Sequence, residues 1–268
     1  MPVRAAFFRD SIPCSLFPQG LFVLRRKRRK HMKENYKEMN PCDLVSECFE
    51  RASERLTVRL INPEQNQEML SRIPHRKVCE MEEVCCLTLK ADETGKSFLT
   101  VTDRMLSEWG IGRMELFRIA EENAARKNPA SLRPLLSVLN GMIGGEEPEP
   151  EEDSEEPCPN QLYLATNRDG VLGAGVIMYP GFLAEAARQL GSSFYLLPSS
   201  IHEFLFLPNK GPYDVEELNH MVQAINESEV SPRERLADRV LYYDAQSEEL
   251  YVPGTALSFD FRQQCGCY

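Results

Sequence analysis

The sequence predicts an α+β protein of two subdomains, each a mostly antiparallel sheet with helices packed on one face. Two observations lead there. After residue 160 the elements read β-β-α-β-β-α-β-β, with turn residues between paired strands. Ahead of that run lies "GGEEPEPEEDSEEPCPN" (144–160), with eight acids, four prolines and no large apolar residue. Such a segment cannot bury surface and reads as a solvated linker. The expected organisation is a leader or basic arm (1–31), subdomains over 32–143 and 161–254, the linker between them, and a tail over 255–268.

Before the linker, residues 43–55 read as a helix with Asp43 placed to cap it. "TVRLIN" (57–62) reads as a strand, and Pro63 opens a short helix to about Ile73. "EVCCLTLKA" (83–91) and "SFLTVTD" (97–103) flank "DETGK", a hairpin signal. "RMLSEWG" makes a short helix ending at Gly110, with Trp109 as a core anchor. Residues 113–127 form a longer one with Met114, Phe117 and Ala120/Glu121 on one stripe, and "SLRPLLSVLNGMI" is a last helical piece.

After the linker, "QLYLATN" (161–167) and "GAGVIMY" (173–179) read as strands around the turn "RDG". "FLAEAARQLG" is an amphipathic helix with Phe182, Leu183, Ala186, Ala187 and Leu190 on one stripe and Gly191 as its cap. "SFYLLP" and "EFLFLP" are strands. The helix after Tyr213 has Asp214 and Glu217 at capping-box spacing, with Val215, Leu218, Val222 and Ile225 on one face and His220 off it. "RVLYYD" and "ELYV" form a final hairpin, in which Tyr242 and Tyr243 face opposite ways.

Charge narrows the function. The formal net charge is -10, yet residues 1–31 hold eight Lys/Arg against one acid. The remaining chain is therefore strongly acidic and repels phosphate backbones, so nucleic acid is not the expected partner. Nor is a membrane, because no apolar run approaches the ~20 residues a crossing helix needs. The nine cysteines contain no C-x-x-C pair, and Cys85 and Cys86 sit in an apolar run as small core residues. A reducing cytoplasm is the expected compartment. "RRKRRKH" (25–31) before Met32 reads as a purine-rich ribosome-binding site translated in frame, which makes Met32 the expected start. A disordered or functional basic arm is the alternative.

"PHRKV", "TVTDRMLSEWGI", "ELFRIAEENA", "LYLATN", "MYPGFLAEAARQLGSSFYLLPSSIHEFLFLP" and "YYD" occur in that order. Together they resemble a bacterial family, common in gut Firmicutes and known as a domain of unknown function. The likeness runs over about residues 56–252 and is most specific in "YPG…LPSSIHE". It implies a bacterial, cytoplasmic origin, and it carries no activity, cofactor or catalytic residue. Where the family tends to place acids after the Trp-Gly, this chain has "IGRMELF".

"LPSSIHEFLF" is the most suggestive stretch. Ser199, Ser200, His202 and Glu203 gather the hydroxyl, imidazole and carboxylate that hydrolysis needs. In a strand, however, His202 and Glu203 point to opposite faces unless a bulge intervenes, and the G-x-S-x-G elbow is missing. A tight turn whose hydroxyls satisfy local backbone is the favoured reading. "PHRKVCE" places His75 and Arg76 where they could hold a phosphate or carboxylate, with a surface turn pairing Arg76 to an acid as the blander reading. A zinc site from His75, Cys79 and Cys85 would lack a fourth ligand, so no metal or other cofactor is expected. "DGVLGAG" has neither phosphate-loop spacing. Gly170 is expected in a turn with positive φ, and Gly173 and Gly175 where a neighbour packs closely.

The expected function is a non-enzymatic binding or regulatory module. Its partner would be another protein, docked near Tyr179, Pro180, Gly181, Ser199, Ser200 and His202, with His75 and Arg76 as a further contact. The alternatives are a small hydrolase using Ser200 and His202 with Glu203 or Asp169, and an acidic inhibitor or antitoxin-like protein.

Overall fold

The computed structural model describes residues 49–92, 95–143 and 161–264. The leader, the Met32 start, residues 43–48 of the first expected helix and the acidic segment 144–160 lie outside these residues.

Among the described residues, the strands form two sheets, and every strand pairing is antiparallel. The smaller sheet is organised by the long β3 (Met81–Asp92). One edge of β3 pairs with β1 (Leu56–Ile61). β2 (His75–Val78) pairs with its first half, and β4 (Gly95–Thr100) with its second half, from Cys86 to Asp92, in a ladder interrupted by a bulge at Thr88/Lys90. The larger sheet runs β11-β10-β9-β7-β8-β6-β5. Its strands are β5 (Ala130–Pro134), β6 (Tyr163–Asn167), β7 (Phe194–Ser200), β8 (Glu203–Pro208), β9 (Leu241–Asp244), β10 (Glu249–Tyr251) and β11 (Ser258–Asp260).

The helices are α1 (Phe49–Ser53), α2 (Gln67–Leu70), α3 (Asp103–Trp109), α4 (Arg113–Lys127), α5 (Leu135–Ile143), α6 (Phe182–Leu190) and α7 (Val215–Glu229). Their ends follow the local chemistry. Thr102 caps α3 by accepting from the Met105 N–H, and Gly110 closes it at φ 68°. Asp214 accepts from the Glu216 and Glu217 N–H groups at the start of α7.

The α+β class holds. Along β8, Phe204 and Phe206 enter one hydrophobic cluster while Leu205 and Leu207 enter another. Both faces of this central strand are buried, which explains the unbroken apolar run "EFLFLP". α6 contributes to the first cluster, α5 and α7 to the second. The first cluster also takes in Val58 and Leu60 of β1, Leu87 of β3 and Leu116, Phe117 and Ala120 of α4, so one core runs through both sheets. Phe194 stacks on Phe206 at 4.6 Å between ring centroids and meets Tyr243 at 5.3 Å. Each such buried ring contributes about 1.5–3 kcal/mol by area.

Several expectations are corrected. Residues 173–178 form a 3-10 helix, not a strand, and all six are buried. A short apolar run buried on every side fits either form, and here two glycines decide it. A Cβ on Gly173 would lie 2.1 Å from Thr166 Oγ1, and one on Gly175 3.0 Å from the Val58 carbonyl oxygen, so glycine is required at 173 and favoured at 175 for this turn to wedge between β6 and the edge of β1. "SLRP" belongs to β5, paired with β6, and the helix begins only at Leu135. The chain thus passes into the larger sheet before residue 144. The expected tail contains β11, which adds Phe259 to the core. The helix after Pro63 ends at Leu70. Met114 is 63% exposed, because the buried stripe of α4 runs through Leu116, Phe117, Ala120, Glu121 and Ala124.

Candidate functional site

The "LPSSIHE" turn joins β7 to β8, and a register shift between Pro198 and Ser200 supplies the bulge that strand alternation alone would forbid. Ser199, Ser200, His202 and Glu203 do come together, but inside the protein: Ser200 is 1% and Glu203 0% exposed. The Ser200 hydroxyl donates to Glu203 Oε1 at 2.8 Å and accepts from the His202 N–H at 3.1 Å. The Ser199 hydroxyl donates to the same oxygen at 3.3 Å. His202 Nδ1 accepts from the Leu172 N–H at 3.0 Å, and its carbonyl accepts from Thr166 Oγ1 at 2.8 Å. The group is a staple binding the turn to the loop 167–172. Asp169, the other acid of the hydrolase reading, belongs to that loop, and its carboxylate pairs with Lys96.

Tyr179 is buried, its phenol pushed up from the usual range by burial and touching the Asn167 side chain. Pro180 and Gly181 are exposed, and Gly181 opens α6 at φ 74°. His75 lies in β2, where its Nδ1 meets Glu82 Oε2 at 2.9 Å. Arg76 is in the same strand rather than a turn, and it pairs with acids more deeply than a surface ion pair would. Its guanidinium donates to Glu83, its cross-strand partner, and to Glu121 of α4. It also lies over the rings of Phe117, at 4.9 Å, and Phe259, at 5.4 Å. Burial, opposed by Arg76 and reinforced by Glu121, pushes the Glu83 carboxyl up to about 8. Two carboxyls facing one guanidinium keep a proton between them. The group ties β2, β3, α4 and β11 together, and its donors are already directed at carboxylates.

The structure does not bring His75, Cys79 and Cys85 into a ligand set, and among the described residues no group of three or more His, Cys, Asp or Glu is placed to hold a metal ion. The Cys79 thiol donates to the Leu250 carbonyl, and burial pushes the Cys79 and Cys85 thiols up, away from the thiolate form.

An open cleft of about 260 Å³ lies where the two sheets meet. Its walls are the start of β1, Thr88 of β3, Lys96 and Phe98 of β4, the last turn of α4 and Asn167, Val171 and Leu172 of the loop. Local bonds fix these walls. Asn123 donates to the Ser53 carbonyl at 2.6 Å and Lys127 to that of Glu54, so the end of α4 holds the end of α1. The Asp169 N–H donates to Asn128 Oδ1 at 3.2 Å, and Asn167 Nδ2 to the Val171 carbonyl at 2.9 Å. The His202 staple holds Leu172. The suggestive turn and the cleft are therefore one construction, with the turn behind the wall and the cleft in front.

Sequence reasoning missed the cleft residues. Lys96 sits beside a hairpin turn, Arg55 between α1 and β1, and Asn123, Lys127 and Asn128 at a helix end. Each looks like an ordinary solvated residue, and only the tertiary fold assembles them.

Among the described residues no helix is long and apolar enough to cross a membrane. No curated protein and no solved structure matches this chain. The family of unknown function DUF5688 matches residues 25–245, covering both sheets as far as β9, and the chain belongs to that family.

Proposed function

We propose that this protein is a non-catalytic binding or regulatory module whose ligand site is the cleft between the two sheets. The observation that carries this reading is the closure of the "LPSSIHE" turn. A serine nucleophile must reach substrate while a base takes its proton. Here the Ser200 hydroxyl is buried and engaged by Glu203 and the His202 N–H. The accessible space lies on the other side of Leu172, where Arg55, Lys96, Lys127, Glu54, asparagines and threonines share the lining with apolar residues such as Leu56, Phe98 and Val171.

The same burial weakens docking on the "YPG" and "LPSSIHE" segments, since Tyr179, Ser199, Ser200 and His202 are all buried and Pro180 and Gly181 alone of those six are exposed. The acidic-inhibitor reading draws on the acidity of the chain after Met32, of which eight acids fall in 144–160, outside the described residues. A fluorophosphonate probe tests the central point. The intact protein should remain unlabelled at Ser200. Labelling that disappears in Ser200→Ala would overturn the binding-module reading in favour of a hydrolase.

A further inference from the structure

We infer that the inter-sheet cleft binds a small oxyanion, the phosphate or carboxylate group of a compact metabolite. This rests on the binding-module reading and names the class of ligand. The charge at the cleft favours an anion. The cleft is lined by Arg55, Lys96 and Lys127 against Glu54, with Asp169 paired to Lys96, so cations outnumber anions there by three to two, whereas the chain as a whole has 31 Lys/Arg against 41 Asp/Glu. An acidic protein that gathers more cations than anions around a concave site favours an anion there, and concave low-dielectric walls strengthen that preference.

The cleft lysines retain donor capacity. An ammonium has three N–H groups. Among the described residues, Lys96 directs one at Asp169 and Lys127 one at the Glu54 carbonyl. These bonds aim the two ammonium groups without exhausting them. The Lys96 side chain is only 26% exposed, so its charge is less screened than that of an ordinary surface lysine. Thr57, Thr88 and Asn123 add neutral polar groups to the walls. The cleft is also of suitable size. A cleft of about 260 Å³ has room for several waters, and so room enough for a phosphorylated or carboxylated small molecule.

Asp169 gives the test its direction. Its carboxylate occupies Lys96 much as a ligand oxyanion would, so it competes with the ligand. Inorganic phosphate and malonate, each titrated into the full chain at constant ionic strength against chloride, separate the phosphate and carboxylate sources. Amide chemical shifts give the readout. The expected result is saturable movement of the amides of Lys96, Asn123, Asn128 and Leu172 with at least one probe. Lys96→Gln should weaken binding about tenfold, the scale of one charge-assisted hydrogen bond. Asp169→Asn should tighten it, a gain that mere damage to the fold would not produce. Asp169 is 31% exposed on its side chain, so both variants are expected to fold. No saturable shift with either probe, or binding unmoved by both substitutions, would overturn the inference. That failure would leave the module reading intact if Ser200 stayed unlabelled, whereas labelling of Ser200 would remove that reading whatever phosphate did.

Discussion

The ring of His202 and the backbone of Leu172, thirty residues apart in sequence, are joined by a 3.0 Å bond from the Leu172 N–H to Nδ1. Leu172 sits at φ 53°, a left-handed conformation that a branched apolar side chain seldom adopts. The neutral imidazole supplies the lone pair that holds it there, which places the ring proton on Nε2. A residue type that suggests catalysis is here a buried acceptor shaping one wall of a cleft.

Replacing His202 with Ala leaves a strained backbone N–H without its acceptor. The expected loss of stability is about 2 kcal/mol, the desolvation penalty of an orphaned donor together with relaxation of the loop. Hydrogen exchange is the sharper measurement. Protection at the Leu172 amide should fall while the paired amides of β7 and β8 stay protected. Unchanged protection at Leu172 would show that the turn does not depend on this ring.

Gly173 and Gly175 differ in how closely their neighbours approach. A Cβ on Gly173 would meet Thr166 Oγ1 at 2.1 Å and the His202 carbonyl at 2.4 Å, whereas on Gly175 the nearest atom, the Val58 carbonyl oxygen, is at 3.0 Å. Gly173→Ala should therefore cost about 3 kcal/mol and Gly175→Ala about 1 kcal/mol. Gly112→Ala, with nothing within 4 Å, should change stability by less than about 0.5 kcal/mol. Urea unfolding of the three variants checks the order, and an equal loss at Gly173 and Gly112 would contradict it.

Legibility of the fold tracked how local the determining physics was. Gly110, Asp214 and the hairpin around "DETGK" act within a few residues, and the structure has α3, α7 and β3–β4 where those signals put them. "GAGVIM" failed because its conformation depends on the carbonyl groups of Val58 and His202, far away in sequence. β5 failed because "SLRP" is a strand only through pairing with β6 across the acidic segment. At the candidate site, the residues with chemical character were visible but their burial was not. The cleft cations were visible only as charges, since their convergence belongs to the packing of α4 and the loop 167–172 against β1 and β4.

The Arg76–Glu83–Glu121 group predicts an unusual pH dependence. With the Glu83 carboxyl held near 8 by burial, the folded state keeps a proton that the unfolded chain releases near the ordinary carboxylate value of about 4.3. Its contribution is fully present below that value and is lost as pH rises toward about 8, on the order of 1 kcal/mol per pH unit for one retained proton. Glu83→Gln keeps the shape and removes this titration, so it should lose less stability than the wild type as pH rises through that window and should exceed the wild type at the alkaline end. Urea midpoints across the window decide the matter. A wild-type stability that rises with pH, or the same slope in the variant, would refute a shared proton.

On the outward face of the larger sheet, Asp244, Glu249 and Asp260 stand in register across β9, β10 and β11, beside the row Tyr195, Tyr242 and Tyr251. Like charges directly opposite each other on neighbouring strands are unfavourable by roughly 0.2–1 kcal/mol per pair. Arg262, with Nε 3.6 Å from Asp260 Oδ1, answers the outermost carboxylate. Glu249→Lys turns both repulsions of the central residue into attractions, while its aliphatic stem can lie along Tyr251. A stabilisation of about 1 kcal/mol is expected, seen as a higher urea midpoint with an unchanged slope. Added salt should stabilise the wild type and weaken the variant, because screening removes repulsion in one and attraction in the other. If the variant were less stable than the wild type at low salt, the carboxylates would not be repelling one another, and some cation outside the described residues would have to be neutralising the row.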